Sequence, residues 1–141
     1  MIEMTKFLLI VDYNGGVVDT PMTEWTPEEV KAHMAYYDAL NDELRASGEL
    51  VSGLSLSWPE EAKTVTSDGK AAPVVTDGPF AESKEMLAGF QMVDVESLER
   101  AIEIAGLVSQ VPGPGGVPLQ QPIGVRRVMD QSDFDEINPL G

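Results

Sequence analysis

The side chain best suited to acid–base chemistry is His33, the only histidine in this chain of 141 residues. An imidazole titrates near neutrality, so it can accept or donate a proton at physiological pH. Asp77 is a natural partner, because a carboxylate can orient an imidazole and stabilise its charged form. Each residue also has a structural interpretation: a hydrogen-bonded histidine at the edge of a helix face, and an aspartate that stabilises its own turn. Spacing along the chain does not choose between these interpretations.

The polar segment around Asp77 concentrates further reactive groups. Residues 76–85 read TDGPFAESKE, in which the order Asp, Gly, Pro is a strong turn signal. Lys84 could bind an anionic group of a substrate; the alternative is a solvated lysine in a salt-bridged loop. Phe80 is expected to pack on apolar surface beside the turn, where it could also form one wall of a pocket.

Two residues far from this turn complete the candidate substrate contacts. Arg126 belongs to the only pair of adjacent basic residues in the chain and is a second candidate for binding an anion. Trp58 could line a hydrophobic cleft together with aromatic residues at three other positions, although isolated aromatic residues more often belong to a core. These three positions are Tyr13, Tyr36 and Tyr37.

The composition argues against a metal or cofactor site. The chain has no cysteine and one histidine, so a transition-metal site would depend on carboxylates, and no ligand-like spacing is evident. The glycine-rich residues 113–116 do not form a phosphate-binding loop, because Pro114 lacks a backbone donor and no Lys-Ser/Thr pair follows. We therefore expect no cofactor.

Charge and length limit the partners of this chain. It has 24 acidic and nine basic residues, a formal net charge of −15, so nucleic acid and anionic membranes would be repelled. The first apolar run, residues 7–11, is too short for a membrane span or for the apolar region of a signal peptide. These features predict a cytoplasmic protein of one domain.

The elements that would position these side chains can be placed from apolar periodicity, caps and turns. Thr26 is the expected N-cap of a first helix that runs to about Ser47 and stops at Gly48. The second helix is predicted over residues 97–105. Strands are predicted at Thr5–Asp12, Glu49–Ser57, Lys63–Thr66, Pro73–Thr76, Leu87–Val95 and Ile123–Met129. The inward positions are predicted to be Val30, Met34, Tyr37, Leu40 or Asn41, and Leu44 in the first helix, and Leu98, Ala101, Ile102 and Ala105 in the second.

The order of these elements predicts an α+β fold. It is β-α-β, a hairpin insert near residues 63–76, then β-α-β, which is the ferredoxin-like split β-α-β arrangement with an antiparallel sheet. Two helices would cover one face of the sheet, and the other apolar face would need a cover such as a second subunit. A single domain is expected over residues 1–129, with an irregular loop at 111–122 and a flexible acidic tail at 130–141.

The segment 76–85 closely resembles the signature of the YCII-related proteins of the DGPF type, a family of small, mostly bacterial proteins. The resemblance extends over about residues 5–129. Further matching stretches are NDELRASG at 41–48, LAGF at 87–90, Asp94-Val95 and Val125-Arg126. A departure is Gly124-Val125-Arg126-Arg127, where the family commonly has Glu-Val-Arg-Pro.

The resemblance implies an architecture and two classes of function. The architecture is a homodimer whose two ferredoxin-like sheets pack into a dimeric α+β barrel, with a His–Asp site that maps onto His33 and Asp77. One class is a cofactor-free enzyme that handles a small organic molecule by acid–base chemistry, as an isomerase, lyase or dehydrohalogenase. The other is a non-catalytic, ligand-binding or regulatory dimer associated with sigma factors of the extracytoplasmic-function type.

Overall fold

The computed structural model describes residues 3–12, 16–78 and 87–138. Phe80, Lys84 and Tyr13, which the sequence nominates for a site, lie outside the described residues. The strands are β1 (Thr5–Asp12), β2 (Leu50–Ser55), β3 (Lys63–Thr66), β4 (Val74–Asp77), β5 (Leu87–Val95) and β6 (Ile123–Arg127). The helices are α1 (Pro27–Ala46), α2 (Leu98–Ser109) and α3 (Gln131–Ile137).

The main sheet is antiparallel and has the strand order β2-β5-β1-β6, while β3 and β4 pair with each other in a separate hairpin. β1 and β5 occupy the centre and are aligned from the pair Thr5–Val95 to the pair Val11–Gly89. The chain therefore follows the predicted path of β-α-β, hairpin and β-α-β. The prediction of an α+β, ferredoxin-like fold is confirmed.

Helix α1 begins and ends at the signals that predict it. The hydroxyl of Thr26 accepts a hydrogen bond from the Glu29 N–H, and the Glu29 carboxylate accepts one from the Thr26 N–H. This reciprocal capping box satisfies backbone donors that have no partner inside the helix. The helix stops before Gly48, whose φ of 81° is a left-handed conformation that glycine adopts without strain.

The core lies on one face of the sheet. Phe7 and Leu9 of β1 alternate with more exposed residues, as Val93 and Val95 of β5 do, and these buried residues contact both helices. The helical contribution consists of Leu40 and Leu44 from α1 and Ala101, Ile104, Ala105 and Val108 from α2. Both helices therefore cover the same face, and the alternate residues of β1 and β5, none of which is fully buried, lie on the opposite face.

The predicted inward positions are confirmed at Tyr37, Leu40, Leu44, Ala101 and Ala105 and are wrong at Met34, Leu98 and Ile102. Periodicity places Met34 towards the core, but its exposed fraction is 49%, and the adjacent His33 is buried instead. In α2, Leu98 and Ile102 are exposed, whereas Ile104 is buried. Two apolar stripes overlap in α2, so periodicity alone does not decide which of them meets the sheet.

The C-terminal part of the chain contains structure that the sequence did not predict. Within the region expected to be a flexible acidic tail, Asp130 caps α3, and Asp133 forms an ion pair of 2.6 Å with Arg127 of β6. The loop at 111–122 contains a 3-10 turn at Pro114–Gly116. Across the described residues, every helix is too short or too polar to span a lipid bilayer.

Candidate functional site

His33 lies in the first half of α1 and is buried between two aromatic rings. Its exposed fraction is 7%. The ring centroids of Trp25 and Tyr37 each lie 5.3 Å from the imidazole centroid, and both contacts are edge-on. Tyr37 follows His33 by one helical turn on the same side of α1, and Trp25 is the residue before the N-cap. The imidazole is therefore largely shielded from water.

A hydrogen bond fixes the orientation of the His33 ring. Its Nδ1 lies 2.9 Å from the carbonyl oxygen of Pro112, and because a carbonyl can only accept, Nδ1 carries the proton. Burial lowers the pKa of His33, and the Pro112 hydrogen bond opposes this effect as the smaller contribution. A neutral ring protonated at Nδ1 has its lone pair at Nε2, and no described residue forms a hydrogen bond with Nε2.

A second hydrogen bond holds the same loop against α1. The Glu29 carboxylate accepts a hydrogen bond of 2.6 Å from the backbone N–H of Gly115. Backbone hydrogen bonds from Thr26 and Gly115 lower the pKa of Glu29, so it stays anionic and keeps accepting. Residues 112–115, which we call the strap, are thus attached to α1 at Glu29 and at His33, which are one helical turn apart.

A pair of side-chain amides lies further along α1. Nε2 of Gln91, in the central strand β5, donates a hydrogen bond of 2.5 Å to Oδ1 of Asn41. The exposed fraction of Gln91 is 7%, and among the described side chains its Oε1 is the buried polar atom without a hydrogen-bond partner. Tyr37 lies between Asn41 and His33 on this side of the helix, and burial raises the pKa of its hydroxyl.

Two contacts fix how α1 lies along the sheet. Asn41 contacts Gln91 in the middle of β5. The carbonyl of Glu49, shortly after the end of α1, accepts a hydrogen bond of 2.7 Å from the backbone N–H of Asp94. The helix from His33 to Asn41 rises about 12 Å, and the strand from Leu87 to Gln91 rises about 13 Å. His33 therefore lies on the side of Asn41 towards the start of β5, which begins directly after the signature segment.

Asp77 lies at the end of β4 and is paired with a lysine. Its carboxylate accepts a hydrogen bond of 2.6 Å from the Lys63 ammonium, which is opposite Asp77 in the hairpin register. The Asp77 side chain is 84% exposed. Among the described residues, no hydrogen bond or ion pair joins Asp77 to His33, so the predicted His–Asp pair stays a prediction.

The remaining predicted contacts are distributed over the molecule. Arg126 is exposed on the edge strand β6 and pairs in register with Leu8, so it lies on the face of the sheet opposite the helices and His33. Trp58 is half exposed at the start of a 3-10 turn over Pro59–Glu61. Within the described ranges, His, Asp and Glu side chains nowhere gather in a group of three or more that could hold a metal ion.

The comparison with known proteins identifies the family. Residues 5–111 match the YCII-related domain. The chain belongs to the YCII-related domain family. An uncharacterized protein of Rhizobium meliloti (strain 1021) is 33% identical over 81 residues, which are 57% of this chain and 64% of that protein. The chain thus spans a little under two thirds of the curated relative that it matches.

In this YCII-related protein, the sequence analysis missed several residues around His33. The partners Pro112 and Glu29 were missed because each contact joins α1 to a loop far along the chain. Gln91 could have been found, since it alternates with the core residues Val93 and Val95 and is therefore a polar residue at an inward strand position. The strap begins directly after the residues that match the family.

Proposed function

We propose that this YCII-related protein binds a small organic molecule beside His33 and uses the imidazole for proton transfer without a cofactor. The chemistry would be that of an isomerase, lyase or dehydrohalogenase. The observation that carries the proposal is the state of the ring: it is buried, oriented through Nδ1 by Pro112, and without a hydrogen-bond partner for Nε2 among the described residues. A histidine that acts as a general base needs a neutral ring at the working pH and a free lone pair. A hydrogen bond to its other nitrogen fixes the direction of that lone pair.

The proton transfer follows from this tautomer. Nε2 would take a proton from a carbon next to a carbonyl group, and the electron pair of the broken C–H bond would move onto the carbonyl oxygen as an enolate. The Pro112 carbonyl supports this step, because its hydrogen bond with Nδ1–H strengthens as the ring becomes positively charged. Return of the proton from Nε2 to another atom of the substrate completes an isomerisation.

The signature segment gives this site its second support. α1 runs from His33 towards Asn41 in the direction in which β5 runs from Leu87 towards Gln91, and the sequence directly before Leu87 contains Lys84 and Phe80. We propose that Lys84 binds a carbonyl group of the substrate and that Phe80 forms one wall of the pocket. Asp77, at the start of the same segment, is proposed to assist His33 after exchanging its partner Lys63 for the imidazole, either directly or through a water molecule.

A test that needs no known substrate is the exchange of C–H protons with solvent. Small ketones, lactones and 2-oxo acids are incubated with the protein in D₂O, and deuterium uptake beside the carbonyl is followed by ¹H NMR. We expect one compound class to exchange with a rate that rises as His33 loses its proton. His33→Ala should lower this rate by about 10²–10⁴-fold, the usual contribution of a general base.

The matched control is Met34→Ala, at the adjacent exposed position of the same helix, which should exchange at the original rate. Added imidazole should partly restore exchange in His33→Ala, since the missing base is then supplied from solution. Undiminished exchange in a folded His33→Ala protein would refute the proposed role of His33.

A second candidate function is a non-catalytic, ligand-binding or regulatory dimer, which the resemblance connects with sigma factors of the extracytoplasmic-function type. It is favoured by the sheet face opposite the helices, where the apolar residues are only partly buried. These residues are Leu8, Ile10, Phe90 and Met92. Saturable ligand binding at His33 with no exchange for any compound class would support this function over catalysis.

We propose that a second copy of this chain covers that face. Charged residues of both signs flank its apolar centre: Lys6 and Asp94 are paired in register on it, and Arg126 lies on it in β6. A two-fold axis brings the same surface of each copy together, so such a face can pair apolar centre with apolar centre and opposite charges at the rim. This supports a homodimer as the functional unit of either candidate function.

A further inference from the structure

The buried amide of Gln91 has one half that is satisfied and one half that is not. Its Nε2 donates to Asn41, while Oε1 has neither solvent contact nor a partner among the described residues. A buried acceptor without a donor costs about 1–3 kcal/mol, so native proteins rarely leave one unpaired. A group that donates a hydrogen bond to Oε1 would recover this cost.

The neighbouring polar groups extend the same feature along α1. The Tyr37 hydroxyl forms no hydrogen bond with a described residue, and burial raises its pKa, so it stays protonated and uncharged. The His33 ring contacts Tyr37, and its Nε2 is also without a described partner. Gln91, Tyr37 and His33 therefore form a row of uncharged polar groups. In this row, Oε1 of Gln91 and Nε2 of His33 can only accept a hydrogen bond.

The row lies beside the edge strand β2, most residues of which are exposed. Gly53 of β2 is opposite Gln91, and Ser55 is opposite Gly89, so both lie on the helix-covered side by register. Both are nevertheless exposed, so the helices leave this part of β2 uncovered. A Cβ added at Gly53 would lie 3.2 Å from Cγ of Gln91, which is tighter than most such contacts.

We propose that Gln91 Oε1 is a ligand-binding group, and that the molecule bound along this row is uncharged and carries an N–H or O–H donor for it. This assignment rests on the proposed function, since it names the chemical class of ligand for the site at His33. A carboxylate is disfavoured, because it would bring a negative charge and no donor to Oε1, and the row contains no cation to pair with it. The chain's net charge of −15 adds to this selection.

Three probes of similar shape separate the alternatives: benzamide is neutral with an N–H donor, methyl benzoate is neutral without one, and benzoate is an anion. Each is titrated into ¹⁵N-labelled protein while the Gln91 side-chain amide and the His33 ring are followed by NMR. We expect saturable shifts of both groups with benzamide, and an affinity about tenfold or more above the other two probes, the value of one good hydrogen bond.

Gln91→Leu removes the acceptor at similar volume and should lower the affinity for benzamide to that for methyl benzoate. The matched control is Gln110→Leu, because Gln110 donates to the Gly106 carbonyl on the exposed side of α2 and should not affect binding. Gln91→Met serves if Gln91→Leu does not fold, which the amide spectrum of each variant checks.

Several results would overturn this inference: benzoate or methyl benzoate binding as tightly as benzamide, benzamide binding that Gln91→Leu leaves unchanged, or no saturable binding of benzamide. The NMR titration requires no turnover, so its result can contradict the proposed ligand class without contradicting the proposed catalysis. Loss of C–H exchange in His33→Ala without selective benzamide binding rejects only the ligand class. Selective benzamide binding without exchange rejects only the catalytic function.

Discussion

His33 and Pro112, 79 positions apart in the chain, are joined by a hydrogen bond of 2.9 Å between the imidazole Nδ1 and the proline carbonyl. This bond does two things at once. It fixes the tautomer of the only histidine, and it holds the strap over the first turns of α1. The protonation state of His33 and the position of the strap are therefore linked. A change in either one is expected to alter the other.

We expect the pKa of His33 in the folded protein to lie below its ordinary value of 6.5, because burial disfavours the imidazolium. The ring should be protonated at Nδ1 over the neutral range. Since the chain has one histidine, a single set of imidazole signals in a ¹H–¹⁵N correlation spectrum reports both properties. A pKa above 6.5, or a neutral ring protonated at Nε2, would contradict the arrangement described.

The same shift predicts how stability depends on pH. The unfolded chain binds this proton more tightly than the folded chain, so the contribution of His33 to the free energy of unfolding is complete above pH 6.5 and falls as the pH decreases from 6.5 to the folded-state pKa of His33. Glu29, one helical turn before His33, stays ionised in this range because its pKa is lowered. Urea unfolding at a series of pH values should show this slope, and His33→Gln should lack it.

Removing the Glu29 carboxylate is expected to release the strap. In Glu29→Ala, the Gly115 N–H loses its acceptor, so its hydrogen exchange should become faster, and the pKa of His33 should rise towards 6.5 as water reaches the ring. Glu28→Ala, at the adjacent acidic position of the first turn, should change neither quantity. Thr26→Ala separates the capping box from the strap, because it removes the hydroxyl acceptor of the box and leaves the Gly115 bond in place. Equal effects of Glu29→Ala and Thr26→Ala would show that only the cap matters.

Much of this fold is readable from local signals. The capping box at Thr26, the glycine at Gly48 and the mostly apolar run Leu87–Val95 each act over a few residues, so the sequence predicts the elements and their order. The resemblance to the family signature predicts the ferredoxin-like α+β architecture as well. Rotation of a helix is less local, because it depends on which of two neighbouring stripes meets the sheet, as Met34 and His33 illustrate.

The site is less readable, because its contacts join distant parts of the chain. No periodicity reports that Pro112 reaches His33. The pair of Asp77 with Lys63 depends on the register of β3 and β4, which the turn between them sets. The position of Arg126 depends on strand alternation: its opposition to Leu8 places it on the face away from His33, and the adjacent Val125 faces the helices.

We expect the chain to be a dimer in solution and Met92→Lys to make it monomeric. Met92 lies on a central strand, in the apolar centre of the face that we propose to pair, so a lysine there would place like charges across a two-fold interface. Ile137→Lys, at a more exposed apolar position on α3, should leave the dimer intact. Sedimentation velocity measures both. A monomeric parent chain, or a Met92→Lys dimer, would refute the proposed interface.

A matched pair of glycine substitutions tests the packing of β2 on β5. At Gly89, an added Cβ would lie 2.8 Å from the Leu54 carbonyl oxygen, and this backbone atom cannot move without shifting β2. Gly89→Ala should therefore lower the free energy of unfolding by about 1–3 kcal/mol, the usual cost of overpacking.

At Gly106, in α2, an added Cβ meets nothing within 4 Å, so Gly106→Ala should raise the free energy of unfolding by about 0.5–1 kcal/mol through helix propensity. Urea unfolding at one protein concentration compares the two variants, because a dimer's stability depends on concentration. Since β2 pairs with β5 beside Gln91, Gly89→Ala should also weaken benzamide binding, whereas Gly106→Ala should not. Equal stabilities of the two variants would mean that β2 is not held against β5 as described.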